Sequence, residues 1–550
     1  MKNRLSIQFL TMAILSSALF GCGGGKVQSS PDVLREGYSS VVKDISPLEV
    51  FVGSGTPGET GSSESTLWNG TDGEKKYVRV YTKSKEVVLK INDEEVARHK
   101  MEDSDNLMAL FTDIAYKQGK MVVLTLDGGK ETEAKVLRSP LSPTNVRLMR
   151  ERDFEDGVNV LYSIDICDEY GTAVPGKEAF KVSVSGGSYK FSGLTATGKR
   201  LLLVKPESDR TEITVSCGNL IPGKAAIDGN GNDILKKKIG IGLCSVQNIN
   251  TDFRDSMIRL QRAGVSYVEL YNFSGEGLFG PSAEEIGRVT DSLGIRVISN
   301  LTMASSVETE PGKIDDYVSR WEETMKAQRP LGTKYIVITA NMFWGDRENA
   351  LKCCETLNRI GEIAKIYGMK FLYHLHNIEF NTVIGTDERI VDFMLENTDP
   401  DLVNLEADLF WVKMGGDDPV EFLRKYADRI YMTHVKDYYY FDNGDLLDYK
   451  AIFDALAGYN HIDYVFEMEE YLTRDQMNSK AERQFQMGHN TRKINFDPPR
   501  NPRNTPGQPT PAMNMNSPAV QEALRLSSLR DVTDNLRALE SMPFVPYLDI

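Results

Sequence analysis

Four strand-like runs in the last third of the chain end in pairs of polar residues two positions apart: His374 and His376, Glu406 and Asp408, His434 and Lys436, Glu467 and Glu469. Side chains two apart on a strand share a face, so each pair projects together. The pairs recur about every thirty residues, the length of one βα unit of a barrel. Imidazoles and carboxylates converging on one point hold a divalent metal ion. A hydrogen on a carbon beside a carbonyl leaves at neutral pH only if positive charge meets the developing enolate oxygen, and a metal with an open position supplies that charge. A carboxylate then takes the proton. Glu467, Glu469 and Glu379 are the candidate bases, and Lys436, on the face of His434, is placed to donate a proton or neutralise the oxyanion.

Each residue also has a plainer reading. An inward barrel histidine is more often a hydrogen-bonded core residue, and Glu406, one layer deeper than Asp408, can orient a ligand without being one. Four polar strand ends in register are nevertheless costly to bury without a shared partner.

The elements that must position these groups begin past Lys236, where strands alternate with helices. Eight candidate strands run over Ile239–Val246, Tyr267–Tyr271, Val297–Leu301, Tyr335–Thr339, Phe371–His376, Val403–Leu409, Ile430–Val435 and Tyr464–Met468. Amphipathic runs such as Asp252–Ala263, Ala283–Leu293, Ile314–Gln328, Glu348–Tyr367 and Pro419–Tyr426 separate them. Eight such units predict a (β/α)8 barrel. A doubly wound open sheet competes, but no Gly-rich phosphate loop follows the first strand. Glu269, ending the second strand, and Asn341 and Trp344, after the fourth, are candidate substrate contacts.

The motifs Tyr373-His-Leu-His-Asn-Ile-Glu-Phe380, Leu405-Glu-Ala-Asp-Leu-Phe-Trp411, His434-Val-Lys-Asp437 and Phe466-Glu-Met-Glu469 resemble those of the xylose isomerase-like barrels, and most of all the branch of sugar phosphate isomerases/epimerases. The resemblance implies one divalent metal ion (Mn, Mg, Co or Zn) at the mouth, with ligands from strands five to eight: His374 or His376, then Asp408, His434 and Glu467. Epimerases of that family use a glutamate on the fifth strand. An imidazole there puts a symmetric two-base epimerisation in doubt.

The front of the chain bears on location. Met1 to Arg4 are positively charged, Leu5 to Phe20 mainly apolar, and Leu19-Phe20-Gly21-Cys22 resembles the lipobox of bacterial lipoproteins. Residues 1–21 therefore read as a signal peptide, Cys22 as an acylated mature N-terminus anchored in a membrane facing the periplasm or cell surface, and residues 22–45 as a flexible tether. An uncleaved anchor is the competing reading. The formal net charge of −15 opposes binding to nucleic acid.

Between Leu48 and Asp228 the pattern is all strand, with alternation at Tyr77-Val-Arg-Val-Tyr81 and a hairpin signal at Asp127-Gly128-Gly129. Two immunoglobulin-like β-sandwiches follow, over 46–140 and 141–236, ahead of a barrel over 237–550. Val78-Arg-Val-Tyr81, the Ile91-Asn92-Asp93 turn and Asp168-Glu-Tyr-Gly171 before Val174-Pro175 resemble accessory domains of family 2 glycoside hydrolases. That resemblance implies spacers or weak carbohydrate contacts. Trp68 reads as a core residue rather than a sugar platform. Cys167 and Cys217 are able to pair in an oxidising compartment, and two buried thiols fit equally well; Cys353 and Cys354 read as packing residues.

Residues 473–518 form an insertion without periodicity after strand eight, followed by a helix over Ala519–Leu539 that completes the barrel. Its position makes it a lid with His489, Asn490 and Arg492 as substrate contacts, or else a surface excursion. A tethered enzyme outside the cytoplasm meets free rather than phosphorylated sugars. The expected reaction is metal-assisted proton abstraction next to a carbonyl, giving isomerisation or epimerisation; the alternatives are elimination or hydration on a 3-keto-glycoside and a carbohydrate-binding lipoprotein without activity.

Overall fold

A computed structural model of the full chain describes residues 48–58, 64–101, 107–152, 154, 156–176, 179–194, 200–273, 280–304, 306–340, 344–436, 447–468 and 518–548. Asn341, Glu469, residues 473–517 with His489, Asn490 and Arg492, and the expected signal peptide and tether with Cys22 lie outside the described residues. The chain divides between Asn232 and Asp233 into two units.

In the first unit, alternation of apolar residues builds antiparallel sheets. Glu64–Ser65, Leu48–Ser54, Lys75–Thr82 and Met108–Ala115 form one sheet in that order, and Glu94–Lys100, Glu86–Ile91, Lys120–Asp127 and Lys130–Arg138 form its partner. Val50, Val52, Val78, Val80, Val87, Leu89, Met121 and Val123 fill the space between them. Gly128 and Gly129, both at positive φ, make the turn that the hairpin signal predicts. Trp68 is fully buried against Tyr116 and donates Nε1–H to the Lys117 carbonyl, so it is a core residue.

The second sandwich packs the sheet of Gly187–Leu194, Arg200–Pro206, Val160–Cys167 and Asn145–Arg150 on that of Lys181–Ser185, Thr211–Ser216 and Gly223–Ile227. Val146, Tyr162, Ile164, Leu202, Val204, Ile213 and Val215 are its centre. Cys167 and Cys217 are both buried, as are Cys353 and Cys354 in the barrel.

In the second unit eight parallel strands close on themselves: Gly240–Gly242, Tyr267–Tyr271, Arg296–Ala304, Tyr335–Ala340, Lys370–His374, Val403–Asp408, Ile430–Val435 and Asp463–Phe466. Ile241 pairs with Val268 on one side and Phe466 on the other, which excludes an open sheet. The first strand is shorter than its apolar run because Leu243–Ser245 curls into a 3-10 turn at the barrel mouth. Helices cover the outside by the expected 3.6-residue spacing. Phe253–Arg262, for example, is capped by Asp252 and buries Phe253, Met257 and Leu260.

The helix Pro518–Ser541 buries Leu529, Val532, Leu536 and Leu539 in the same core and anchors on Phe253–Arg262 through Arg525. Lys238 N–H to the Pro546 carbonyl and Leu548 N–H to the Lys236 carbonyl tie the two ends of the barrel together. No helix among the described residues is long and apolar enough to cross a membrane.

Candidate metal centre

Strand register brings the polar strand ends side by side. His374 on strand five lies opposite Glu406 on strand six. The register of strands six and seven then slips by one residue between Leu405 and Glu406, and Asp408 comes to lie opposite His434 instead of Thr433. A similar slip between Val268 and Glu269 sets Glu269 beside Ser299, whose Oγ donates to it at 2.7 Å.

The side chains form one connected, buried cluster. His374 Nδ1 is 2.7 Å from Glu406 Oε2. Burial, then the neighbouring His434 charge, holds His374 well below the usual imidazole range, so the ring is neutral. Its Nε2 is turned toward Asp408 Oδ2, 3.9 Å away. The other Asp408 oxygen accepts N–H from Phe410 and Trp411 at 2.9 and 3.1 Å, capping the helix Leu409–Met414 and fixing the carboxylate.

His434 Nδ1 meets Glu467 Oε2 at 3.0 Å, and its Nε2 meets Glu269 Oε1 at 2.8 Å and Glu406 Oε1 at 3.3 Å. Burial opposes a charge on this ring, but Glu406, Glu269 and Glu467 outweigh it and hold His434 well above the usual range. Lys436 Nζ lies 2.8 Å from Asp408 Oδ2 and 3.0 Å from Glu467 Oε2. Burial and the Glu269 charge push Glu406 up to about 8, and burial pushes Asp408 up to about 6. Burial opposes the Glu467 charge too, yet Lys436 and His434 outweigh it and hold that carboxyl well below its usual range.

The donor set fits a divalent cation. One ligand atom each from His374, Asp408 and His434 lies within 4.8 Å of the others, and Glu467 shares an oxygen with the His434 contact. Asp408 Oδ2 is buried, with the Lys436 ammonium 2.8 Å away as its neighbour. Glu269, Glu406, Asp408 and Glu467 bring four buried carboxyl groups around Lys436 and the His434 ring, more acids than bases, a set that a divalent cation would balance. Two imidazoles and a carboxylate with further oxygens at hand suit zinc or another first-row metal. Glu406 and Glu269 stand behind His374 and His434 and orient them, as outer carboxylates do in metal sites.

Other sequence candidates fall differently. His376 turns its Nδ1 to Thr339 Oγ1 at 3.3 Å, with its ring 4.9 Å from that of His374, and among the described residues it joins neither the group of His374, Asp408 and His434 nor that of Glu269, Glu406 and His434, whose ligand atoms also lie within 4.8 Å of one another. It is half-buried at the start of a 3-10 turn over Asn377–Phe380, which it caps. Glu379 folds back within the same turn: its carboxylate accepts the Tyr373 hydroxyl and the His376 N–H, both at 2.8 Å. These two contacts make it a capping group within the turn, and burial pushes its carboxyl up to about 8. Trp344 is not a pocket wall but a core residue, 1 % exposed and packed against Tyr373. Glu269, expected to contact substrate, instead sits at the His434 ring.

Two residues were not singled out from the sequence. Cys244 donates from Sγ to Glu467 Oε1 at 3.2 Å, and Trp411 lies with its ring 5.5 Å from His376 and 4.9 Å from Lys436 Nζ. Trp411 follows Asp408 by three residues in a quoted motif, which is a usable signal; Cys244 has none beyond its place at the end of strand one.

A family model described as xylose isomerase-like TIM barrel matches residues 258–487, and one described as a domain of unknown function, DUF4982, matches residues 73–133. The inosose dehydratase of Geobacillus kaustophilus is 30 % identical over 222 residues, 36 % of this chain and 68 % of that protein. A solved sugar phosphate isomerase/epimerase from Parabacteroides distasonis is 26 % identical, covers 46 % of this chain and 92 % of its own, and superposes with a TM-score of 0.41. A glycosyl hydrolase family 2 member from Bacteroides cellulosilyticus is 18 % identical over 33 % of this chain and 28 % of its own, with a TM-score of 0.29.

Proposed function

The chain belongs to the xylose isomerase-like TIM barrel family, and on that footing we propose that it is a metal-dependent carbohydrate lyase that removes a proton next to a ketone and expels the hydroxyl one carbon further on. The observation that carries this reading is the fifth strand. His374 is there instead of a carboxylate, and Glu379, the nearest acid in sequence, is held by Tyr373 and the His376 N–H. Epimerisation needs acid–base groups on both faces of the reacting carbon, whereas elimination needs one base and one acid on the departing side.

His374, Asp408, His434 and Glu467 would hold the ion. A divalent ion at this place supplies positive charge for the oxygen of the substrate ketone as the neighbouring proton leaves. Glu467 Oε1 would take that proton, giving up the hydrogen bond it accepts from Cys244 Sγ, while Lys436 contacts the other oxygen, Oε2. Lys436 is the group able to protonate the departing hydroxyl, and Trp411 walls the space beside it. Burial of the whole cluster strengthens each of these charges by excluding water.

Support for the substrate class comes from the relatives named inosose dehydratase. An inosose is a cyclic polyol bearing one ketone, and its dehydration is the elimination written above. A non-phosphorylated keto-polyol or keto-sugar also agrees with the reading of Cys22 as a lipid anchor outside the cytoplasm, which is part of this proposal.

The test is incubation of the purified Zn2+- or Mn2+-loaded full chain with an inosose and with 3-keto-glycosides in deuterated water. Loss of one water, or of the aglycone, in the natural chain and not in Asp408→Ala supports the lyase. Solvent deuterium appearing in an otherwise intact sugar or its epimer would replace it with an isomerase. No change in any substrate would leave a carbohydrate-binding barrel.

A further inference from the structure

Lys436 stands where it obstructs the site it belongs to. Its Nζ lies 2.8 Å from Asp408 Oδ2 and 3.0 Å from Glu467 Oε2, and the latter oxygen is also 3.0 Å from His434 Nδ1. These are oxygens that a divalent ion held by His374, Asp408, His434 and Glu467 would draw on. Lys436 is 2 % exposed, so water does not share its charge. An ion binding the same two oxygens would sit against a buried ammonium, and like charges that close in a low-dielectric interior repel strongly.

Aromatic faces adjoin the same position. The rings of Trp411 and Phe410 lie 4.9 and 5.6 Å from Nζ, within the range at which an aromatic face attracts an ammonium. Lysine has a flexible four-carbon stem and strong single-point charge, so a swing of the terminal carbons changes its partner without moving the strand.

We propose that Lys436 is an internal competitor of the metal: in the metal-free barrel its ammonium holds Asp408 and Glu467, and a bound divalent ion displaces it toward Trp411. This inference rests on the reading of the cluster as a metal centre. It gives the lysine two states. In the first it neutralises the carboxylates and allows the barrel to stay folded without metal; in the second it is released beside the substrate, where the proposed elimination needs an acid. Metal affinity is lowered by whatever free energy the displacement costs.

The test is Zn2+ binding, without substrate, to the natural full chain, Lys436→Met and Lys436→Arg by titration calorimetry against a competing chelator. Lys436→Met is expected to bind at least about tenfold more tightly, because it leaves two carboxylates without their cation. Lys436→Arg, which keeps a cation there, is expected to bind more weakly than Lys436→Met. Should Lys436→Met not fold, Lys436→Gln, which also removes the charge, carries the test with the same expected tightening. Equal or weaker binding by the neutral variant, or Lys436→Arg binding as tightly as the neutral variant, would overturn the competition while leaving the metal centre standing. Absence of Zn2+ binding by every protein would overturn the metal centre itself.

Discussion

Glu406 and His374, on neighbouring strands of the barrel, meet at 2.7 Å between a carboxyl oxygen and the ring Nδ1, and this contact decides which nitrogen of His374 is offered to a ligand. With Nδ1 committed, Nε2 faces Asp408. Glu406→Ala is therefore expected to weaken Zn2+ affinity about 10- to 100-fold, and Glu406→Gln, which keeps an acceptor, by less. Isothermal titration of the two variants checks this, and equal affinity in Glu406→Ala would remove the orienting role.

His434 sets the pH dependence of loading. Its ring is held charged above the ordinary imidazole range by Glu406, Glu269 and Glu467 against the effect of burial. A protonated ring cannot ligate, so a proton must leave as the ion enters, and binding tightens as pH rises. Calorimetry in buffers of different ionisation enthalpy is expected to show proton release on Zn2+ binding. An affinity that does not change across the neutral range would contradict it.

Glu379 links pH to stability. Its folded value of about 8 lies above the ordinary 4.5, so between those limits the folded chain binds more protons than the unfolded one. The stabilisation is complete below 4.5 and is lost as pH rises through about 8. Glu379→Gln should flatten this window, so that in denaturant titrations its stability falls less than that of the natural chain between about pH 5 and about pH 8.5. Parallel curves for the two proteins would refute the assignment.

Arg525 fastens the closing helix. It is 2 % exposed and holds Glu522 through two bonds at 2.7 and 2.8 Å, Asp255 at 3.0 Å and Ser256 Oγ at 2.9 Å. Arg525→Met keeps the stem but strands those partners, and a loss of about 1–2 kcal/mol is expected, less than for a fully buried pair because both acids keep some contact with water. Urea denaturation read by barrel tryptophan fluorescence measures it, and a change within about 0.3 kcal/mol would assign the fastening to apolar packing alone.

Local pattern made the fold legible. Period-two alternation with glycine turns predicts the sandwiches, and eight alternating units predict the closed barrel, because both signals depend on residues a few positions apart. The convergence of His374, Asp408, His434 and Glu467 was legible for the same reason, since strand ends of a barrel share one mouth. The surroundings of Glu379 and Trp344 were not legible, because a 3-10 turn ties the Glu379 carboxyl to Tyr373 and the His376 N–H and a core contact sets Trp344 against Tyr373.

The sequence by itself determined that imidazoles and carboxylates stand at four successive strand ends, with a lysine two residues past one of them. Only the tertiary structure decided which of them meet. One-residue slips of register place Asp408 beside His434 and Glu269 beside Ser299, the end of strand five leaves His374 opposite Glu406 while His376 caps a turn, and packing brings Lys436 between Asp408 and Glu467. The physical reason is that register is a property of two strands and their packing at once, and no single stretch of chain contains it.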